Sequence, residues 1–253
     1  MRGDSATIGW KLFAAFGLCA GILHFAGGLA DDARSVVYLT VAVSGPIAMI
    51  VGVRRNRPES AAAWYVLAAG VTVFLLGDAV FYFYKLVRHV DRPFPSIADA
   101  FFLASYPLLI AGLLFLIRRR NPGGDRTSLI DACMIATGMG LLTEVYLIAP
   151  SLAGTSTPWL ERTISVGYPL FDVALLAVAA RLTMTTGPRR PAYWFLGLSI
   201  MSLLAADIGY AANQLTGTFE LGSAFDAGWM GFYFFSGLAA LQPSMAGLAN
   251  AGP

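Results

Sequence analysis

The chain is written as apolar runs of roughly 20 residues, the length a helix needs to cross about 30 Å of hydrocarbon, separated only by short polar breaks. That pattern leaves few folds open. Inside lipid every backbone N–H and C=O must be bonded within its own segment or in a closed barrel, and runs this long fit helices. Spans are expected at about 8–29, 35–53, 61–87, 97–117, 128–149, 164–182, 192–214 and 224–241. The fold class this predicts is all-α, a polytopic membrane bundle of about eight transmembrane helices in a single domain over 1–253, with no soluble domain. Composition agrees: 57% of residues are hydrophobic and 13% are charged, where soluble domains carry about 25% charged residues. The connections hold the expected breakers, RRNRPES, DRPFPS, RRRNPGGDR and GPRRP.

A net charge of +2 is too small to imply nucleic acid as a partner. The arginines and lysines report orientation instead, because basic loops are retained on the cytoplasmic side. With eight spans and both termini cytoplasmic, that side collects Arg2, Lys11, Arg54, Arg55, Arg57, Arg118, Arg119, Arg120, Arg126, Arg181, Arg189 and Arg190. The expected location is the plasma membrane. The first run lacks an A-x-A cleavage site and reads as a retained span. Cys19 and Cys133 each stand alone in an apolar run and read as small packing residues.

The two halves echo each other. LLGDAVFYFYKL at Leu75 to Leu86 lines up with LLAADIGYAANQL at Leu203 to Leu215, and Asp99 precedes Tyr106 by seven residues as Asp226 precedes Tyr233. A 4+4 parallel internal repeat, over 8–117 and 128–247, is the expectation.

Asp78, Glu144, Asp172 and Asp207 fall inside expected spans, where a central charge costs roughly 2.5–3.5 kcal/mol. Facing lipid, the four would cost on the order of 10 kcal/mol. They are therefore expected to turn inward, to carry a proton, or to pair with a cation or one another. Asp99 and Asp226 sit at the outer ends of their helices, and His24 lies at a similar level. Tyrosines accompany the acids at helical spacing: Tyr82 after Asp78, Tyr106 after Asp99, Tyr168 before Asp172, Tyr210 after Asp207 and Tyr233 after Asp226. A carboxylate beside a phenol can hold a proton, a cation or a polar ligand. The expected site is an acidic, outward-opening pocket of Asp78, Asp99, Tyr106, Glu144, Tyr168, Asp172, Asp207, Tyr210, Asp226, Tyr233 and His24. The competing reading is that these groups only brace helices against one another. Asp131 is expected as a helix-start charge. Lys85, Arg88, His89 and Arg92 are expected to be exposed or snorkelling.

No GxSxG elbow, HExxH pair or Walker loop occurs, so no catalytic residue is assigned. Two lone histidines make no metal centre, and no cofactor is implied.

The segments GDAVFYFYKL, RPFPSIADAFFLASYPLLIAGLLFLIRRR, SLIDACMIATGMGLL, GYPLFDVALLAVAARL and LLAADIGYAANQLTGTFELGSAFDAGWMGFYFFSGLAALQPSM carry a resemblance. Together they resemble the N-terminal multi-helix membrane sensor region of actinobacterial signalling proteins with cytoplasmic GGDEF and often EAL domains, which make and degrade cyclic di-GMP. The likeness runs over roughly 75–245. It implies a sensory input role and a cytoplasmic GGDEF/EAL signalling protein as partner. Neither a GGDEF nor an EAL motif is present, so the nucleotide chemistry of those proteins is not expected of this polypeptide. Further expected partners are membrane lipid, a small ligand or cation, and a second copy of the chain. The alternatives kept open are a proton- or cation-coupled transporter and a structural membrane assembly protein.

Overall fold

A computed structural model describes residues 2–26, 28–89, 93–120, 126–152, 158–184, 189–216 and 224–248. These form long helices: α1 (Arg2–Phe25), α2 (Asp31–Asn56), α3 (Ala61–Leu86), α4 (Ile97–Arg120), α5 (Arg126–Thr143), α6 (Trp159–Met184), α7 (Pro191–Thr216) and α8 (Ala224–Leu241). The chain is an all-α helical bundle. Most expected spans are confirmed and extended by about a turn into the flanking polar residues. Local chemistry explains several ends. The carboxylate of Asp99 accepts from the Ser96 backbone N–H at 2.7 Å while Ser96 Oγ accepts from Ala98 N–H, a capping box that starts α4. Asp31 and Asp32 open α2, and Arg54, Arg55 and Arg118 to Arg120 close α2 and α4, each sign opposing the helix dipole. Pro191 is the first residue of α7, where its missing N–H costs nothing.

Among the described residues seven helices are long and apolar enough to cross a membrane, and α8 is not among them. Helix α8 packs against α1, α2 and α7, so it faces protein on several sides and carries Asp226, Tyr233 and Ser236 buried. A helix enclosed by others need not be uniformly apolar.

Six helices close a ring. α2 packs on α3, α3 on α4, α4 on α6, α6 on α7, α7 on α8, and α8 back on α2. Within it α2 and α8 run parallel and nearly touch backbone to backbone. A Cβ on Gly45 would lie 2.9 Å from the Tyr233 carbonyl oxygen, and one on Gly52 would collide with the Ala240 carbonyl. Small residues at these two levels are what allow the approach. Tyr106, Leu109, Leu113, Phe232 and Tyr233 are fully enclosed in the resulting core.

The other two helices stand outside. Only 6% of the α1 span and 11% of the α5 span are buried, against 50% of α2. α1 rests on α2 and α8, and α5 rests on α6. This corrects the reading of Cys19 and Cys133 as packing residues, since both lie on exposed faces of these outer helices. Asp131 is also not a helix-start charge. α5 begins at Arg126, which leaves Asp131 half-buried in the second turn. After Thr143 the helix widens into a π-helical turn, Glu144–Ile148, and ends with Ala149–Leu152.

Candidate functional site

The acids converge at one end of the ring, the end opposite the large arginine clusters. Asp78, Asp99, Asp172 and Asp226 are 7%, 0%, 7% and 3% exposed, and Asp207 is half-buried. Each has at least one partner on another helix.

Two tyrosine–aspartate contacts cross the ring in an exchanged pattern. Tyr233 on α8 donates to Asp78 Oδ2 on α3 at 2.7 Å. Tyr106 on α4 donates to Asp207 Oδ2 on α7 at 2.6 Å. The ring order relates these pairs, since moving three helices along turns α3 into α7 and α4 into α8. Each contact is then the other's counterpart.

The two clusters differ in hydrogen count, and that difference is chemical. Asp78 Oδ2 also accepts from Tyr38 on α2 at 3.1 Å, so one carboxyl oxygen receives two phenol hydrogens and needs none of its own for these contacts. Tyr106 is reversed. Its oxygen lies 2.8 Å from Asp172 Oδ1 on α6 as well as 2.6 Å from Asp207, and a phenol has a single hydrogen to give. For both contacts to be hydrogen bonds, one carboxyl must supply a hydrogen of its own. Trp229 Nε1–H donates to the other Asp207 oxygen at 2.8 Å, which fixes that face of Asp207 as an acceptor. The Tyr106 contacts are thus one hydrogen short of what the phenol alone can give, a shortfall the Asp78 contacts do not have.

Asp99 accepts a third phenol. Tyr168 on α6 donates to Asp99 Oδ1 at 2.8 Å, while the capping box occupies Oδ2, so Asp99 joins the α4 start to α6. Tyr106 and Tyr168 are each followed by proline, Pro107 and Pro169, inside a helix. A proline lacks the N–H its helix needs and bends it, which a protein-lined interior tolerates.

Asp226 meets the first helix. His24 Nε2 lies 3.4 Å from Asp226 Oδ2 and His24 Nδ1 lies 3.2 Å from the Arg34 carbonyl oxygen. Both ring nitrogens therefore face oxygens. Above this pair a small, partly open cavity, with room for about one water-sized sphere, is lined by His24, Asp31, Arg34, Ser35, Tyr82, Lys85 and Asp226. Tyr82 continues inward to Tyr38, with ring centroids 5.2 Å apart, and Tyr38 donates to Asp78. The cavity and the Asp78 site are thereby in direct contact.

A comparison with family models, curated proteins and solved structures finds no match.

Of the expected residues, the structure brings together Asp78, Asp99, Tyr106, Tyr168, Asp172, Asp207, Asp226, Tyr233 and His24. Tyr210 stands beside them, its ring T-shaped to Trp229 at 5.7 Å. Glu144 is a correction. It was expected to turn inward, and it is exposed where α5 widens into its π-helical turn. Its turn packs beside α6 and α7, but Glu144 itself lies on the exposed face. The mouth is also not simply acidic, because Lys85 and Arg34 line it beside Asp31 and Asp226. Arg88 and His89 are exposed as expected, Lys85 is half-buried, and Arg92 lies outside the described residues. Sequence reasoning missed Tyr38, Trp229, Ser35, Arg34 and Lys85. For Tyr38 a signal existed: Ser35-Val36-Val37-Tyr38 echoes Ser165-Val166-Gly167-Tyr168. Among the described residues no group of three or more His, Cys, Asp or Glu could hold a metal ion.

Proposed function

We propose that this integral membrane protein is a non-catalytic input module. A small polar ligand engages the cavity at the acidic end, helix packing shifts, and the arginine-rich end passes the change to a cytoplasmic partner. The observation that carries this reading is the unbroken path from the cavity through Tyr82 and Tyr38 to Asp78 and Tyr233, which spans α2, α3 and α8. A ligand that alters Tyr82 acts on contacts among three ring helices at once, and it shifts the packing equilibrium by its differential affinity for the two arrangements. The cyclic di-GMP connection rests on the sequence resemblance. The exchanged tyrosine–aspartate pairs also support a duplicated origin for the two halves.

The test is deletion of the gene in its source cell, with cyclic di-GMP measured before and after complementation. Deletion is expected to change the nucleotide level, wild type to restore it, and a Tyr38→Phe, Tyr233→Phe double variant inserted at the same abundance to fail. An unchanged level on deletion rejects the signalling role, and full restoration by the double variant rejects the path.

The missing hydrogen in the Tyr106 contacts, which a protonated carboxyl would supply, favours one second reading, a proton-coupled transporter. Purified protein in liposomes with an internal pH dye then carries protons down an imposed gradient, and Asp172→Asn stops it. An input module gives no flux in either form.

A further inference from the structure

The cavity at the acidic end is better matched to an anion than its name among acids suggests, because its carboxylates are engaged and its cations are not. Asp226, the deeper acid of the lining, already has a partner, His24 Nε2 at 3.4 Å. Asp31 is exposed in the first turn of α2, where the helix dipole already favours it. Lys85 Nζ donates to the Ser35 hydroxyl at 3.0 Å and lies 6.0 Å from the Tyr82 ring centroid, with no carboxylate in ion-pair range. The Ser35 hydroxyl in turn donates to the Asp31 carbonyl at 2.8 Å, so its one hydrogen is spent and Lys85 keeps two N–H bonds to offer. Arg34 Nε is buried with no acceptor. The start of α2 adds backbone N–H groups, since Ala30 provides no side-chain cap.

We propose that a small monovalent oxyanion, a carboxylate or a phosphate diester, binds at the mouth of this cavity between Lys85 and Arg34. The site rests on the cavity assigned above as the ligand entrance and names the ligand's chemistry. Two cations with no carboxylate in ion-pair range leave N–H groups to offer, and a planar or tetrahedral set of oxygens takes hydrogens from an ammonium and a guanidinium together. Asp31 and Asp226 select size. They repel a second negative group, so a monovalent head is preferred over a polyvalent one. The bound anion sits against Tyr82, which is the first link of the path to Asp78. The oxyanion can arrive as a free solute or as the headgroup of a lipid at that end of the helices, because both present the same oxygens.

Binding is measured on purified full-length protein, apart from any signalling readout, so that its failure and the failure of the input role are distinguishable. Thermal unfolding is followed in phosphatidylcholine nanodiscs with acetate, inorganic phosphate or chloride at matched ionic strength, and again in discs containing phosphatidylglycerol. A saturable rise of the midpoint with acetate or phosphate over chloride supports a solute. A rise with phosphatidylglycerol and none with the soluble anions supports a headgroup. In either case Lys85→Gln and Arg34→Gln are expected to weaken the effect roughly tenfold or more, as for loss of one partner of a charge-assisted contact, while Lys85→Arg retains it. Lys11→Gln, on an exposed face of α1, is expected to leave it unchanged. No anion-specific rise in any arm, or an equal rise in wild type and both glutamine variants, overturns the proposal.

Discussion

Tyr106→Phe isolates the hydrogen count at the Asp172–Tyr106–Asp207 site. The tyrosine is fully buried and its ring stacks on Phe171 with centroids 5.6 Å apart and planes 23° from parallel. Phenylalanine keeps the ring and that stacking and removes one oxygen, so no cavity larger than a hydroxyl is left. Two contacts disappear, those to Asp172 and Asp207. Hydrogen bonds between membrane helices average about 0.6 kcal/mol and reach about 1.7 kcal/mol. The pair is therefore worth about 1–3 kcal/mol. Asparagine at 172 or 207 is a different perturbation. If one carboxyl already donates a hydrogen to Tyr106, an amide N–H takes over that donation, and at 207 the amide oxygen can still accept from Trp229. Each single Asn variant is then expected within about 0.5 kcal/mol of wild type, the range of substitutions that break no feature. The assay is equilibrium unfolding in mixed micelles of mild detergent and SDS, read by helical circular dichroism. If Asp172→Asn and Asp207→Asn each cost as much as Tyr106→Phe, neither acid carries the extra hydrogen and the reasoning fails.

Two further outcomes follow from the packing. Gly52→Val forces a side chain into the Ala240 backbone and is expected to cost about 3 kcal/mol or more by overpacking, whereas Gly138→Ala, with nothing within 4 Å, should gain about 0.5–1 kcal/mol from helix propensity; the same micelle titration reads both, and equal effects would refute the close α2–α8 approach. Glu144→Leu removes an exposed carboxylate from a span and should ease membrane insertion of α5 by up to about 2.5–3.5 kcal/mol, whereas Asp78→Leu leaves the Tyr38 and Tyr233 hydroxyls without their acceptor and should destabilise the bundle; a glycosylation-reporter insertion assay checks the first, and no gain for Glu144→Leu would mean that the carboxylate is covered.

The sequence by itself determined the helices, because hydrocarbon thickness and backbone hydrogen bonding act on each apolar run separately. It also determined that buried acids gather at one end, because the positions of Asp78, Asp99, Asp172, Asp207 and Asp226 along their runs already set their depth. Which acids meet which tyrosines was decided by tertiary structure. Tyr233 and Asp78 are 155 residues apart and Tyr106 and Asp207 are 101 apart, and their contact depends on the order of helices around the ring, which no local pattern encodes. Glu144 makes the distinction sharp. Its local sequence signal matches that of Asp78, an acid inside an apolar run, yet one helix belongs to the ring and the other stands outside it. Burial is a property of a helix's neighbours, and a single apolar run does not specify them.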